Sequence, residues 1–477
     1  MGGVRTTLIE GEIKLFKKQL MKKVFPVAVL SSLAFSSLVG AGTANAKTEK
    51  AAENNAEIKN VIFLIGDGMG VSYTSAYRYL KDDPSTKRVE PTEFDNFLVG
   101  QQTTYPEDAK QNVTDSASAA TAMAAGVKTY NAAIAVDNDK SEVKTVLEAA
   151  KEKGKSTGLV ATSEITHATP ASFGSHDVNR NNMNAIADDY YNERVNGKHK
   201  IDVLLGGGSD LFIRQDRNLT DEFKKDGYSY VSNLQELKND KNDQVLGLFA
   251  KRGMPKMIDR TAEVPSLEDM TTSAIERLNQ NKKGFFLMVE GSQIDWAGHD
   301  NDIVGAMSEM EDFEKAFKAA IDFAKKDKHT LVVATADHST GGYSIGARGE
   351  YNWFSAPINA AKRTPDFMAQ QIASGSDVKD TLTKFINLPL TDKEIQSVKD
   401  AAAAKKVVDI DNAIEQIIDT LSFTGWTTGG HTGEDVNVYA FGPASERFAG
   451  QIDNTDNAKI IFEILDNGSK KTIIEDK

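Results

Sequence analysis

The sequence contains no cysteine. Disulfide bonds, thiolate metal sites and a cysteine nucleophile are therefore excluded. Proline is scarce, at 11 of 477 residues, and the 40% hydrophobic and 26% charged content fits a globular chain rather than a collagen-like or disordered one. Basic residues are outnumbered, since 56 Lys and Arg oppose 69 Asp and Glu, giving a net charge of −13. General nucleic-acid binding is not expected, because it needs a basic surface that displaces counterions.

Residues 1–46 are predicted to be a signal peptide. Five lysines, at positions 14, 17, 18, 22 and 23, precede an apolar run over 24–39. The small-x-small pattern that follows this run and ends at Ala46 is one that signal peptidases cut. The run is interrupted by serines and is short for a transmembrane helix, so a membrane anchor is the less favoured alternative. Met21 is an alternative start, since it opens a complete signal peptide by itself. The segment carries a charge of +4, which leaves −17 on the mature chain and indicates a secreted or cell-wall-associated protein.

The mature chain, 47–477, alternates short apolar runs with helical stretches. Continuous apolar runs predict strands buried on both faces, as in a mostly parallel sheet covered by helices. The predicted strands are 61–65, 158–161, 203–205, 285–289, 331–334 and 438–441, and the predicted helices between them include 116–125, 143–152, 270–279 and 304–323. This alternation predicts an α/β fold, a three-layer α/β/α sandwich around a large mostly parallel sheet. A segment at about 349–423, with helix-like stretches at 394–406 and 408–421, is predicted to be an insertion or cap.

Acidic residues and histidines follow three of the predicted strands. Asp67 comes after the first, Glu290 and Asp295 after the run 285–289, and Asp337 with His338 after the run 331–334. Ligands of such sheets bind at the carboxyl ends of the strands. The sequence therefore predicts that the functional site lies at this edge.

Asp67 lies within Gly66-Asp67-Gly68-Met69-Gly70. This loop is not the dinucleotide-binding pattern GxGxxG, because Val71 stands where the third glycine belongs. A carboxylate on a tight loop that approaches a cation is the favoured interpretation, and a helix-capping Asp is the alternative.

Three of the seven histidines lie near acidic or glycine-rich loops. Asp295 and His299 are four residues apart, so on a helix they would share one face and bind one ion; a solvated surface pair is the alternative. His431 lies in a glycine-lined loop over 427–433, whereas His199 and His329 lie in lysine-rich stretches and are predicted to be solvated. Histidines and carboxylates without cysteine suit catalytic zinc, with a harder oxygen-ligated ion such as magnesium.

Ser116 is the candidate nucleophile. It lies in a run of small residues over 114–122 that leads into a predicted helix. A serine at a helix N-terminus faces unpaired N–H groups, which favour its alkoxide and a bound phosphate. The alternative is that Asp115 or Ser116 only caps the helix.

Taken in order, these motifs resemble those of the alkaline phosphatases, in particular the bacterial enzymes of the Gram-positive Bacillus type. The resemblance extends from about residue 58 to 450 and is specific because several independent motifs agree. The residues that carry it are Asp67, Thr114-Asp115-Ser116-Ala117, 166–170, His176 with Arg180, 290–295 with His299, Asp337-His338 and His431-Thr432-Gly433.

The resemblance implies a role for each of these residues. Ser116 would become a phosphoserine, Arg180 would clamp the phosphate and Asp115 would position Arg180. The implied metal ligands are Asp295, His299 and His431 for a first zinc, Asp67, Asp337 and His338 for a second zinc, and Asp67, Thr169 and Glu290 for a third, magnesium-type ion.

Two positions depart from the pattern of some relatives. His167 stands where some carry Asp, which leaves the identity of the third metal open, with His167 ligating it directly or through water. Trp296 stands where some carry Lys or His, so a second phosphate contact is missing or indirect. His176 has either a positioning or a purely structural role.

The resemblance implies secreted, metal-dependent hydrolysis of phosphate monoesters at alkaline pH through a covalent phosphoserine. It also implies two Zn²⁺ and one Mg²⁺ per subunit, inorganic phosphate as product and a homodimer. One alternative is a phosphodiesterase or sulfatase of the same superfamily. A second is an exported phosphate- or metal-binding protein without catalysis.

Overall fold

A ten-stranded sheet forms the centre of the protein in a computed structural model, which describes residues 57–467. The predicted signal peptide, 1–46, lies outside the described residues. The strands are β1 (Asn60–Gly66), β2 (Leu98–Thr103), β3 (Ser156–Glu164), β4 (Arg194–Val195), β5 (Lys198–His199), β6 (Val203–Gly207), β7 (Ser229–Val231), β8 (Val245–Leu248), β9 (Phe285–Gly291), β10 (Thr330–Thr335), β11 (Ser339–Thr340), β12 (Ser344–Ile345), β13 (Thr424–Gly425), β14 (His431–Thr432), β15 (Val436–Phe441) and β16 (Gly450–Asp453).

The sheet has the strand order β16-β2-β15-β10-β1-β9-β3-β6-β8-β7. Within it, β15 pairs antiparallel with β10 and β2. The remaining neighbours are parallel. All six predicted strands are present, each within a strand of this sheet, and the mostly parallel architecture is confirmed.

Helices cover both faces of the sheet. They are α1 (Val71–Lys81), α2 (Ser116–Ala125), α3 (Val146–Glu152), α4 (Ala168–Gly174), α5 (Met183–Asn192), α6 (Ser209–Phe212), α7 (Leu219–Lys225), α8 (Leu234–Asn239), α9 (Leu267–Leu278), α10 (Gln293–Asp300), α11 (Ile303–Asp327), α12 (Ala356–Ala360), α13 (Pro365–Ala373), α14 (Val378–Phe385), α15 (Asp392–Ala402), α16 (Val407–Ser422) and α17 (Asn454–Asn467). In the described part of the chain, none of these helices is both long and apolar enough to cross a membrane.

The hydrophobic core has two parts, one on each face of the sheet. Successive residues of a strand point to opposite faces. In β1, Ile62 and Leu64 therefore join the cluster that includes α9 and α11, whereas Val61 and Phe63 join the cluster that includes α2, α4 and α17. This division of one buried strand between two helical layers is the predicted α/β/α sandwich.

The segment at about 349–423 contains the five helices α12 to α16. Buried residues of these helices, such as Met368 and Ile414, belong to the same cluster as Ile62 of the central sheet. The segment therefore packs on the main core. Its exact limits as an insertion stay a prediction.

His199 is not solvated, and that prediction is wrong. It is only 7% exposed, its Nε2 lies 2.8 Å from Asp226 Oδ2, and its ring stacks on Phe223. The lysines that flank it in sequence gave no sign of the aromatic side chains that bury it, because those come from other elements.

Candidate active site

The predicted site residues meet at the carboxyl ends of β10, β1, β9 and β3, which are consecutive in the sheet. Asp67 directly follows β1, Glu290 is the penultimate residue of β9, and Asp337 comes two residues after β10 ends. His167 comes three residues after β3. Because these strands are parallel, their ends lie at one edge of the sheet, and residues far apart in sequence become neighbours.

Asp295, His299 and His431 form a first cluster. The segment is helical, which was the condition for these two residues to share one face, and His299 Nε2 lies 3.3 Å from Asp295 Oδ2. His431 Nε2 lies 3.1 Å from His299 Nε2 and 3.5 Å from Asp295 Oδ1. His299 Nδ1 lies 2.7 Å from the Gly429 carbonyl oxygen, and His431 Nδ1 lies 2.8 Å from the Thr114 carbonyl oxygen. Donation from Nδ1 leaves the Nε2 lone pair free to bind an ion.

Asp67, Asp337 and His338 form a second cluster, and all three are fully buried. His338 Nε2 lies 3.2 Å from Asp337 Oδ2 and 3.5 Å from Asp67 Oδ1. Gly68 turns the chain with a φ of 71°, and its N–H donates to Asp337 Oδ1 over 3.0 Å. That backbone conformation favours glycine. The turn that the glycines of this loop predicted therefore places two carboxylates beside one imidazole.

A third group contains Asp67, His167 and Glu290, with one ligand atom of each within 4.8 Å of the others. Thr169 lies at the start of α4, and its Oγ1 is buried without a hydrogen-bond partner among residues 57–467, as are His167 Nδ1 and Glu290 Oε1. Trp296 packs edge-on against the His167 ring, with 5.6 Å between ring centroids. An apolar indole thus borders the group at the position where the sequence departs from some relatives.

Ser116 is the first residue of α2 and is buried, at 1% exposed. Its Oγ lies 3.2 Å from His338 Nε2. The hydroxyl therefore faces the second cluster while standing at the positive end of a ten-residue helix.

Asp115 caps this helix and also holds Arg180. Its Oδ1 accepts the Ser118 N–H over 3.0 Å, while its Oδ2 accepts both the Ala132 N–H and Arg180 Nη1–H, each over 3.0 Å. Burial alone would raise the pKa of Asp115, but Arg180 and the backbone donors hold it below its ordinary value. Arg180 Nη2 also donates to His167 Nε2 over 3.2 Å. Asp115 thus caps α2, which was the alternative that the sequence offered for it, and it also contacts Arg180.

The carboxylates at the site carry charge that the protein does not fully compensate. Burial, followed by the charges of Asp337, Asp295 and Glu290, raises the pKa of Asp67 well above its ordinary value. Burial also raises the pKa of Glu290 to about 7. In contrast, the hydrogen bond and charge of Asp295 raise the pKa of His299 to about 9.

These residues fit divalent cations. Both oxygens of Asp67, Asp337 Oδ2 and Glu290 Oε1 are buried and have no hydrogen-bond partner among the described residues. Buried carboxylates need a compensating charge or ligand. Imidazole nitrogens with carboxylates suit zinc, whereas the hydroxyl of Thr169 with carboxylate oxygens suits a harder ion.

Residues outside the predicted set support the clusters. Thr340 Oγ1 donates to Asp295 Oδ1, and Tyr73 Oη in turn donates to the Thr340 carbonyl over 2.7 Å. Asn131 Oδ1 accepts the Asp115 N–H over 2.9 Å. Thr340 comes two residues after His338, but its hydrogen bond to Asp295 of α10 had no sequence signal.

His176 lies outside the clusters. Its Nε2 is 2.9 Å from Glu148 Oε1 and its Nδ1 is 2.9 Å from the Ala135 carbonyl oxygen. Of the two roles open for His176, these contacts favour the structural one.

Comparisons with known proteins agree with this geometry. The profile of the alkaline phosphatase family matches residues 58–467. Alkaline phosphatase 3 of Bacillus subtilis is 72% identical over 452 residues, which cover 94% of this chain and 98% of that protein. The cold-active alkaline phosphatase of the psychrophile Shewanella sp. has a TM-score of 0.81 at 42% identity, covering 85% of this chain and 99% of that one.

The enzyme of the Antarctic bacterium TAB5 is also similar. A variant of it that replaces a histidine with glutamate, described with Mg bound in the M3 site, has a TM-score of 0.63 at 31% identity, covering 86% of this chain and 98% of that one. These relatives are enzymes, so a binding protein without catalysis is no longer the competing interpretation. The chain belongs to the alkaline phosphatase family and is a phosphomonoesterase.

Proposed function

We propose that the protein hydrolyses phosphate monoesters through a covalent phosphoserine on Ser116, with two zinc ions and a third, magnesium-type ion. The observation that carries the proposal is the position of Ser116 Oγ, at a helix N-terminus and 3.2 Å from His338 Nε2. Ser116 Oγ loses its proton and forms a bond to phosphorus as the ester P–O bond breaks, and the departing alkoxide takes up a proton and leaves as the alcohol. A water oxygen then forms a bond to phosphorus as the Ser116 Oγ–phosphorus bond breaks, which releases phosphate, and a proton from that water restores the Ser116 hydroxyl.

The proposed ligands follow the three groups of side chains. Asp295, His299 and His431 would hold the first zinc, Asp67, Asp337 and His338 the second, and Asp67, Glu290 and Thr169 the third ion. When bound, such ions supply Lewis-acid stabilisation of oxygen charge and lower the pKa of a bound hydroxyl or water.

Arg180 is the proposed phosphate clamp. Its guanidinium has a planar fork of donors that matches two phosphate oxygens. Of the two Nη atoms, Nη1 donates to Asp115 Oδ2 and Nη2 donates to His167 Nε2, and these two contacts orient the fork. Asp115 thus acts on phosphate through Arg180 and is a positioning residue.

Bound cations would also explain how an acidic protein attracts an anion. Without them, the site offers five carboxylates, Asp67, Asp115, Glu290, Asp295 and Asp337, against the single guanidinium of Arg180. Three divalent ions would turn that net −4 into +2. The local field, rather than the net charge of −13, would then steer phosphate esters into the site.

His167 would tune the third ion. It belongs to the group with Asp67 and Glu290, and burial with the neighbouring Arg180 charge lowers its pKa to about 3. A neutral imidazole at this position favours a softer metal than a carboxylate would. The TAB5 variant with magnesium in its M3 site, which has glutamate in place of a histidine, supports this proposal.

Secretion and homodimer formation complete the proposal. The signal-peptide pattern of residues 1–46 supports export, and membership of the family supports a dimer. N-terminal sequencing of the exported protein would show cleavage near Ala46, and sedimentation would show twice the chain mass.

The test is Ser116→Ala. We expect loss of the acid-stable phosphoenzyme that radioactive phosphate labels, and loss of most aryl phosphate hydrolysis, with zinc content retained. Ser397→Ala makes the same change at an exposed helical position and should behave as wild type. Labelling or wild-type turnover in the Ser116 variant would overturn the proposal. Faster hydrolysis of a bis-aryl phosphate than of an aryl phosphate would instead indicate a diesterase.

A further inference from the structure

A second set of carboxylates lies between α10 and α16. Asp300 is the last residue of α10, while Asp411 and Glu415 lie on α16. Asp411 and Glu415 are four residues apart, so they lie on one face of that helix. One oxygen from each of these three residues lies within 4.8 Å of the other two.

Two of these side chains are buried and lack partners. Asp411 is 4% exposed and Glu415 is 6% exposed, and Asp411 Oδ1 and Glu415 Oε1 have no hydrogen-bond partner among residues 57–467. An isolated acidic cluster on a surface would be hydrated. Here Asp411 Oδ1 and Glu415 Oε1 are removed from water, and no described protein group replaces the lost hydrogen bonds. Such burial costs free energy when the carboxyl group is charged.

Asp302 provides an independent sign of a missing ligand. Its Oδ1 caps α11 by accepting the N–H groups of Val304 and Gly305, each over 2.9 Å. Its Oδ2 is also buried and has no partner in the described chain, although the residue is only 1% exposed. The charge of Asp302 raises the pKa of both Asp411 and Glu415, so its carboxylate lies near enough to these two residues to act on them electrostatically.

The protein does little to neutralise this charge. Burial and neighbouring carboxylates raise the pKa of Asp411 to about 8 and that of Glu415 to about 11. Lys256 is the nearby cation that partly offsets the effect on Asp411. Even so, no ion pair joins Lys256 to a carboxylate in the described part of the chain.

A different cluster of acidic residues in the protein is paired with cationic side chains. Glu148, His176 and Glu193 also have ligand atoms within 4.8 Å of one another. There, however, Lys200 bonds to Glu193 and lies 3.4 Å from Glu148 Oε1, and His176 pairs with Glu148. That cluster is satisfied by protein groups. The one on α16 is not.

We propose that Asp300, Asp411 and Glu415 bind a calcium ion, with Asp302 Oδ2 reaching it through water. An all-oxygen, carboxylate-rich donor set suits a hard cation and disfavours zinc. Two oxygens that bind one calcium at about 2.4 Å each can be as far as about 4.8 Å apart, whereas magnesium requires a tighter octahedron. The half-buried Asp300 leaves an edge at which water can complete the coordination.

The site would join two parts of the molecule. Helix α10 carries Asp295 and His299, and α16 is the longest helix of the segment at about 349–423. Calcium would tie α16 to the end of α10 and so hold the catalytic helix in place. It would stabilise the fold without taking part in the chemistry at Ser116.

The experiment compares the full mature enzyme with a double variant, Asp411→Asn with Glu415→Gln, which keeps side-chain size and removes charge. Asp409→Asn is the matched control, since Asp409 is an exposed acid on the same helix. Each protein, saturated with zinc and magnesium, is dialysed against radioactive calcium. Thermal unfolding is followed with and without calcium.

We expect one calcium per chain and a calcium-dependent rise in Tm for the wild type and for the Asp409 variant. The double variant should bind no calcium and show no rise, whatever its Tm in calcium-free buffer. The absence of calcium binding by the wild type at 1 mM, or equal binding by the double variant, would overturn the proposal. Phosphatase activity with zinc and magnesium alone is not the readout, so this test is separate from that of the proposed function.

Discussion

Replacing Arg180 with Ala should weaken phosphate binding far more than it disturbs the metal ligands. The guanidinium spans the site between Asp115 Oδ2, 3.0 Å from Nη1, and His167 Nε2, 3.2 Å from Nη2. Asp115 would keep its backbone donors Ser118 and Ala132 after the substitution, so the start of α2 should remain capped. The proposed zinc ligands would keep their own contacts.

The size of the expected loss of phosphate affinity follows from the two hydrogen bonds that the guanidinium fork of Arg180 can donate to phosphate. A hydrogen bond to a charged group contributes about 1.5–3 kcal/mol, so losing two costs at least about 3 kcal/mol. That loss corresponds to a rise of about 10²-fold in the inhibition constant of inorganic phosphate. Arg180→Lys keeps the charge but loses the fork, and its inhibition constant should lie between those of wild type and Arg180→Ala.

The assay is a titration of aryl phosphate hydrolysis with inorganic phosphate, combined with metal analysis of each variant. An inhibition constant within about threefold of wild type would refute the clamp, since a single lost contact of this kind exceeds that effect. Loss of zinc in the same proportion as affinity would refute the separation of clamp and metal ligands.

Three further substitutions test other parts of the account. His167→Asp should increase activation by magnesium relative to other divalent ions, because it exchanges a nitrogen ligand for a hard oxygen ligand. Titration of the metal-depleted enzyme with each divalent ion measures this activation. Gly68→Ala should lower zinc content and activity, because the added Cβ would lie 2.7 Å from Thr340 Oγ1 and 2.8 Å from Asp295 Cα at a φ of +71°. Glu148→Gln should lower the free energy of unfolding by about 3 kcal/mol at pH 7, because His176 and Lys200 overcome burial and lower the pKa of Glu148 from 4.5 to about 2. Since a lowered folded-state pKa stabilises above the unfolded value, this difference should fade as pH decreases from 4.5 towards 2.

Each of these substitutions has a contradicting outcome. An unchanged metal profile would show that His167 does not influence the third ion. Gly227→Ala is the control for Gly68, since its φ is +97° but nothing lies within 4 Å of the added Cβ; equal zinc loss in both variants would attribute the effect to backbone strain alone. A destabilisation by Glu148→Gln that is constant between pH 7 and pH 3, in denaturant titrations, would contradict the assigned pKa.

The central strands and the convergence of the proposed site residues at one edge of the sheet could be predicted from the sequence. Runs such as 285–289 are apolar on both faces because helices cover both sides of the sheet, and acids placed directly after them must lie at its carboxyl edge. The helical spacing of Asp295 and His299 was equally informative, since α10 brings both to one face.

Neither the edge strand β16 nor its neighbour β2 was predicted. Both strands are only partly buried, so their residues lack the continuous apolar pattern of a central strand. The antiparallel direction of β15 also had no local signal, because direction depends on the path of the chain between strands.

Contacts between segments that are distant in sequence could not be predicted either, because they also depend on the path of the chain. No sequence signal linked Asp300 to α16, and only the fold brings Asp411 and Glu415 of that helix near it. Likewise, His199 lies in β5, whereas the ring of Phe223 that buries it belongs to helix α7.

An anomalous-scattering map of the crystallised enzyme tests the central claim most directly. The account predicts zinc peaks within coordination distance of Asp295, His299 and His431 and of Asp67, Asp337 and His338, with the second peak also beside Ser116 Oγ. Peaks elsewhere in the chain, with these side chains bound only to water, would contradict it.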